Sequence, residues 1–132
     1  MADILRFRVE KLIRDKLPDI MRASGLRVFD RVLDDVEFLA ALKTKLGEEA
    51  AEAVAAASAE ELLGELADVM EVVLALTESE GFTMADLEEA RLAKRGERGG
   101  FEGRVYNAAI EAEATCPAVA YYLARPDQYP PT

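Results

Sequence analysis

Three stretches of the chain carry apolar residues at the three- and four-residue spacing of an amphipathic helix, and each is preceded by a side chain able to cap it. Asp34-x-x-Glu37 and Ser58-x-x-Glu61 are capping-box patterns, and Thr83 stands before the third stretch. The first pattern predicts a helix from Asp34 to about Ala57, the second a helix to Glu80 stopped by Gly81, and the third a helix from Thr83 to about Arg95. A short helix over Pro18 to Ser24 precedes them, with Pro18 at a first helical position, Asp19 in the first turn and Gly25 past the end. The fold expected is all-α: an antiparallel bundle of three long helices plus a short N-terminal helix.

The remaining segments read differently. Leu26 to Leu33 is an extended connection, and Arg95 to Gly103 is a loop with four glycines among charged residues. Arg104 to Ile110 has the composition to pair with residues 26–33 as a small two-stranded ribbon beside the bundle. Pro117 to Ala124 reads as a further short helix, and Pro126, Pro130 and Pro131 mark a tail. The 132 residues make one domain, of which 104–132 is a C-terminal extension whose structure the pattern does not specify.

Five acids interrupt this apolar pattern in two runs, Glu48-Glu49-x-x-Glu52 and Glu65-x-x-Asp68, one on each of the first two long helices. At roughly 100° per residue, Glu48, Glu49 and Glu52 share an arc of about 100° and Glu65 and Asp68 lie about 60° apart. Phe38, Leu42, Leu46, Ala53 and Ala56 fall on the face of Glu49, and Leu62, Val69, Val72 and Leu76 on that of Glu65. Those two acids are therefore expected to point into the core, with Glu52 and Asp68 on the shoulder and Glu48 farther out. Counted from a turn centred on Ser58, Glu52 and Glu65 stand at nearly one depth, and Glu49 and Asp68 at another. Carboxylates gathered on the inner face of a hairpin must protonate, pair or bind a cation, and four or five of them call for a cation.

Charge and composition narrow the chemistry. There are 26 acidic and 16 basic residues, a formal net charge of -10, which argues against a binder of nucleic-acid polymers. Histidine is absent, which removes His-based zinc sites, Ser-His-Asp triads, Cys-His pairs and Glu-x-x-His di-iron sites. An all-oxygen set suits Mg2+ first and Mn2+ second. The lone Cys116 forms no internal disulfide, the N-terminus lacks the pattern of a signal peptide, and no membrane span is visible, so a soluble cytoplasmic protein is expected.

The two acidic runs, with twelve residues between Glu52 and Glu65, resemble the signature of the all-alpha nucleoside triphosphate pyrophosphohydrolases, the MazG-like superfamily. Lys11-Leu12-Ile13-Arg14-Asp15-Lys16-Leu17-Pro18 is similar to the opening segment of a small branch of house-cleaning, phosphoribosyl-ATP pyrophosphohydrolase-like proteins, and Lys94 with Arg98-Gly99-Gly100-Phe101 to its closing motif. The likeness covers about residues 10–103. It implies an all-helical homodimer or homotetramer, with Glu49, Glu52, Glu65 and Asp68 as Mg2+ ligands. It also implies cleavage of a nucleoside triphosphate, non-canonical or deoxy, to the monophosphate and pyrophosphate.

Glu48 beside that set is a candidate catalytic base, a ligand of an additional ion, or a plain helix charge. Arg14, Lys16, Lys94 and Arg98 are candidate phosphate-binding groups, whereas Lys45, four residues before Glu49, is placed for an ordinary helix ion pair. Phe101 and Tyr106 are the aromatics nearest in sequence to these loops and so the candidates for stacking on a base. Two other readings compete with house-cleaning hydrolysis: phosphoribosyl-ATP pyrophosphohydrolysis in histidine synthesis, and a non-catalytic acidic helical interaction module.

Overall fold

A computed structural model describes residues 2–132. The elements are α1 (Leu17–Ala23), α2 (Asp35–Val54), α3 (Ala59–Ser79), α4 (Met84–Arg98) and α5 (Val119–Leu123), with no strand among the described residues. The described chain forms two compact units, Met1–Gly96 and Glu97–Thr132. No helix is long and apolar enough to cross a membrane among the described residues.

Each long helix starts where its capping side chain predicts. The Asp34 carboxylate accepts the Glu37 backbone N–H at 2.8 Å. Glu37 does not complete the box; its carboxylate instead accepts two bonds from the Arg31 guanidinium, at 3.2 and 2.7 Å. That bonding holds the Glu37 carboxyl below the usual carboxylate range. At α3 the Ser58 hydroxyl accepts the Glu61 N–H at 3.1 Å while the Glu61 carboxylate accepts the Ala57 N–H at 2.9 Å. Thr83 and Asp86 cap α4 reciprocally, at 3.1 and 2.8 Å. The other end of α3 closes in a Schellman motif: Phe82 N–H reaches the Thr77 carbonyl at 3.1 Å, Gly81 N–H reaches Glu78 at 3.0 Å, and Gly81 takes φ 82°.

Two boundaries and one element depart from expectation. α2 stops at Val54 rather than near Ala57, because the Ala57 amide is taken by the Glu61 carboxylate and so leaves the helical ladder. α4 continues past Arg95 through Gly96 to Arg98, and Gly99, with φ 84°, ends it. One helical glycine costs about 1 kcal/mol, which good helix formers on either side can offset. The two-stranded ribbon is absent: neither 26–33 nor 104–110 is a strand, Arg104 takes a left-handed φ of 57°, and 104–110 is exposed throughout. Two unsupported strands are marginal in water.

α2 and α3 fold back on each other across Ala55–Ser58 and are the helices whose backbones pack together. Their seam is thin. Leu42 and Val72, at 2% and 8% exposure, are its buried apolar residues, flanked by half-buried Phe38, Leu39, Leu46, Ala53, Val69, Val73 and Leu76. Leu62, expected inside, is 39% exposed. α4 makes no close backbone contact with either helix; Met84 and Leu87 instead face Leu66, Val69, Met70 and Val73 across an open cleft of about 400 Å³. Within the second unit, Tyr121, Tyr122 and Tyr129 form an aromatic cluster, with the Arg125 guanidinium 3.9 Å above the Tyr121 ring. Because the Ser58 hydroxyl caps the start of α3, Ser58→Ala is expected to lower unfolding free energy by about 1 kcal/mol, read as a shifted urea midpoint at unchanged slope.

Candidate metal centre

Each acidic run sits inside its helix, where the backbone fixes the side-chain directions, and the four-residue connection sets one helix against the other in antiparallel register. Glu49, Glu65 and Asp68 converge: one carboxylate oxygen from each lies within 4.8 Å of the others. Opposite oxygen ligands of a single hard cation stand roughly 4–5 Å apart, so the cluster has the dimensions of one ion's shell. Glu49 is 7% exposed, Glu65 and Asp68 are half-buried, and Glu52 is exposed.

The polar accounting at the site is incomplete without a cation. Buried oxygens of Glu48, Glu49 and Glu65 (Oε2 in each) have no hydrogen-bond partner. Orphaned carboxylate oxygens are costly to bury, and two of these belong to the converging set, those of Glu49 and Glu65, while that of Glu48 faces the Lys45 ammonium. The donors are all hard oxygens. The residues therefore fit a divalent ion, which Glu49, Glu65 and Asp68 could hold. Burial, followed by the charge of Glu52 and the hydrogen bond between the two carboxyls, pushes the Glu65 carboxyl above the usual range.

Glu48 is placed differently from its expected position. It was expected outermost, but it is half-buried with its side chain 25% exposed, while Glu52, expected on the shoulder, lies in solvent. Helix geometry gave both the correct side of α2. Lys45 pairs with Glu48 and not with Glu52: its Nζ stands 3.6 Å from Glu48 Oε2 and 3.3 Å from Glu49 Oε1, and the lysine side chain is only 21% exposed.

The basic candidates divide. Arg14 reaches the site, its Nη2 donating to Asp68 Oδ1 at 2.6 Å. Lys16 is the exposed residue before α1, and Lys94 and Arg98 are exposed on α4; none of these three makes an ion pair among the described residues. Phe101 and Tyr106, at 97% and 91% exposure, contact nothing that would mark a base-binding surface. The Arg14–Asp68 pair joins residues 54 positions apart, and no local pattern announces it.

The raised Glu65 carboxyl has a stability consequence of definite sign. The folded chain holds that proton more tightly than the unfolded one, whose glutamates titrate near about 4.3. Metal-free stability therefore falls as pH climbs from there through the folded value. In EDTA, Glu65→Gln is expected to be stabilising near pH 7, with the gain shrinking to nothing near pH 4, in urea titrations across that range. A difference that does not vary with pH would contradict the assigned cause.

Comparison with known proteins places the chain in a family. An uncharacterized protein of Mycolicibacterium smegmatis is 50% identical to this chain over 46 residues, which are 35% of the chain and 47% of that protein. The chain thus spans about half the length of the curated relative it matches. No solved structure matches. The phosphoribosyl-ATP pyrophosphohydrolase family matches residues 10–95, a span that takes in the Arg14 segment, both acidic runs and most of α4. By that match the chain belongs to the phosphoribosyl-ATP pyrophosphohydrolase family, within the MazG-like all-alpha superfamily.

Proposed function

We propose that the protein is a Mg2+-dependent nucleotide pyrophosphohydrolase, in which water attacks phosphorus and the products are a nucleoside monophosphate and pyrophosphate. The observation that carries this reading is the convergence of Glu49, Glu65 and Asp68 around orphaned buried oxygens in a chain of this family. When bound, a divalent ion supplies charge neutralisation between carboxylate and phosphate, together with Lewis acidity. Glu48 accepts the proton of the attacking water: it is half-buried beside the converging set, and its Oε2 stands 3.6 Å from the Lys45 ammonium. A base so positioned contributes roughly 100- to 10,000-fold. Arg14 stands at the edge of the cluster and meets the phosphate end of the substrate. The phosphate roles of Lys16, Lys94 and Arg98 rest on the motif alone.

The substrate has two readings. A non-canonical or deoxynucleoside triphosphate, cleared from the nucleotide pool in the cytoplasm, follows from the opening segment Lys11 to Pro18, which brings Arg14 to the site. Phosphoribosyl-ATP follows from the family match over residues 10–95. The non-catalytic alternative is disfavoured by the 7% exposure of Glu49, since a surface interaction module has no use for a buried, partly unpartnered acid.

We also infer that a second copy of this chain covers the outer face of α3 and the facing side of α4. Leu63, Leu66, Met70 and Met84 are 71%, 49%, 54% and 54% exposed there. Two buried aliphatic residues among the described residues are far less core than a domain of this size requires. A homodimer, alone or doubled into a tetramer, supplies the missing cover.

Two measurements test these readings. A panel of canonical, deoxy and modified nucleoside triphosphates together with phosphoribosyl-ATP, in Mg2+, is expected to give pyrophosphate and little orthophosphate from at least one member. Glu49→Ala and Asp68→Ala are expected to abolish nearly all turnover, and silence across the whole panel rejects the enzymatic reading. Sedimentation is expected to show a dimer or larger, shifted toward monomer and lower melting temperature by Met70→Asp; a wild-type monomer at micromolar concentration rejects the second-copy assignment.

A further inference from the structure

The acidic cluster is already met by two cations, one from each side. Lys45 belongs to α2 and lies one turn before Glu48 and Glu49; its ammonium takes Glu49 through Oε1 and leaves the buried Oε2 of that residue unpartnered. Arg14 comes from the segment before α1 and takes Asp68 through Oδ1 alone. Each cation thus engages one oxygen of a carboxylate that also belongs to the converging set. A divalent ion arriving there would meet both groups as competitors for the same carboxylates. Both side chains are long and flexible enough to swing aside, and each carries donors suited to phosphate oxygens: three on the ammonium, and a fork on the guanidinium.

We propose that Lys45 and Arg14 are resident counter-cations of the cluster, neutralising it while no divalent ion is bound and turning to phosphate oxygens when ion and nucleotide arrive. The inference rests on the hydrolase reading above and adds to it a coupling between metal and substrate. The metal frees two phosphate-binding groups, so each ligand raises the affinity of the other. It also gives Lys45 a part beyond the ordinary helix ion pair that its spacing from Glu49 suggests.

The test uses the full chain with Mn2+ as the probe, followed by calorimetry or by the electron paramagnetic resonance of free Mn2+, with and without pyrophosphate at buffered free Mn2+. In Lys45→Met and Arg14→Gln, Mn2+ alone is expected to bind roughly two- to tenfold more tightly than in wild type, the range of a partly exposed to half-buried ion pair. The melting temperature in EDTA is expected to fall, and the tightening of Mn2+ by pyrophosphate to shrink. Lys45→Arg, which keeps the charge, is expected to restore the wild-type pattern. Arg14 is more than half exposed, so its replacement leaves the hairpin folded even if that of Lys45 does not.

Unchanged or weaker Mn2+ binding in Arg14→Gln, with coupling to pyrophosphate intact, overturns the counter-cation role while leaving hydrolysis by the wild type standing. A wild type that neither binds Mn2+ nor turns over any nucleotide takes both readings down together.

Discussion

Repulsion among acids on the inner face of one hairpin is the constraint around which the rest of this structure is arranged. Glu49 is buried, Glu65 and Asp68 converge on it, and Glu52 closes on Glu65 from the solvent side. In a medium less polarisable than water, such groups stay ionised only if positive charge answers them. The chain answers in three ways at once. Lys45 and Arg14 supply full charges from two directions, the Glu65 carboxyl is pushed toward its protonated form, and the buried Oε2 atoms of Glu49 and Glu65 are left without a hydrogen-bond partner. The thin apolar seam of α2 and α3 follows from the same arrangement, because the positions that would deepen the core at this level are occupied by acids.

The helical framework was legible because its signals are local. Asp34, Ser58 and Thr83 cap the helices they precede, and Gly81 terminates α3 with positive φ. Local signals also set the limits of that reading. The alanine run from Ala50 carries no stop of its own, so the end of α2 depends on a side chain four residues beyond Ala57, the Glu61 carboxylate. Gly96 looks like a break but sits between Arg95 and Glu97, both good helix formers, and the helix continues. The 104–110 segment has the composition of a strand, yet composition could not supply the partner a strand requires.

The site divides along the same line. Which side of α2 and α3 the acids occupy follows from helix geometry, and so does their pairing in depth, since both are properties of two rods joined by a short connection. Which acid is most shielded does not. Glu48 lies deeper than Glu52 and pairs with a lysine one turn away, and Asp68 is engaged by an arginine 54 residues earlier. Tertiary partners of this kind leave no periodic trace. Lys16, Lys94 and Arg98, picked out by type and motif, are brought to no acidic partner among the described residues.

These features make folding and ligand binding one equilibrium rather than two. A ligand that binds the folded hairpin and not the unfolded chain adds its binding free energy to stability, and the unfolded chain, lacking any convergence of Glu49, Glu65 and Asp68, holds a divalent ion poorly. The same acids that weaken the metal-free hairpin would therefore strengthen a loaded one, and the swing would be largest where the apolar core is smallest. A deeper core would make the hairpin stable with or without its ion, and the response to metal would shrink. With Leu42 and Val72 as the buried apolar centre, the stability of α2 against α3 instead tracks whatever neutralises the acids between them. A bound ion and a covering second copy, as proposed, would enter one balance with Lys45 and Arg14, in which strengthening any one reduces the demand on the others.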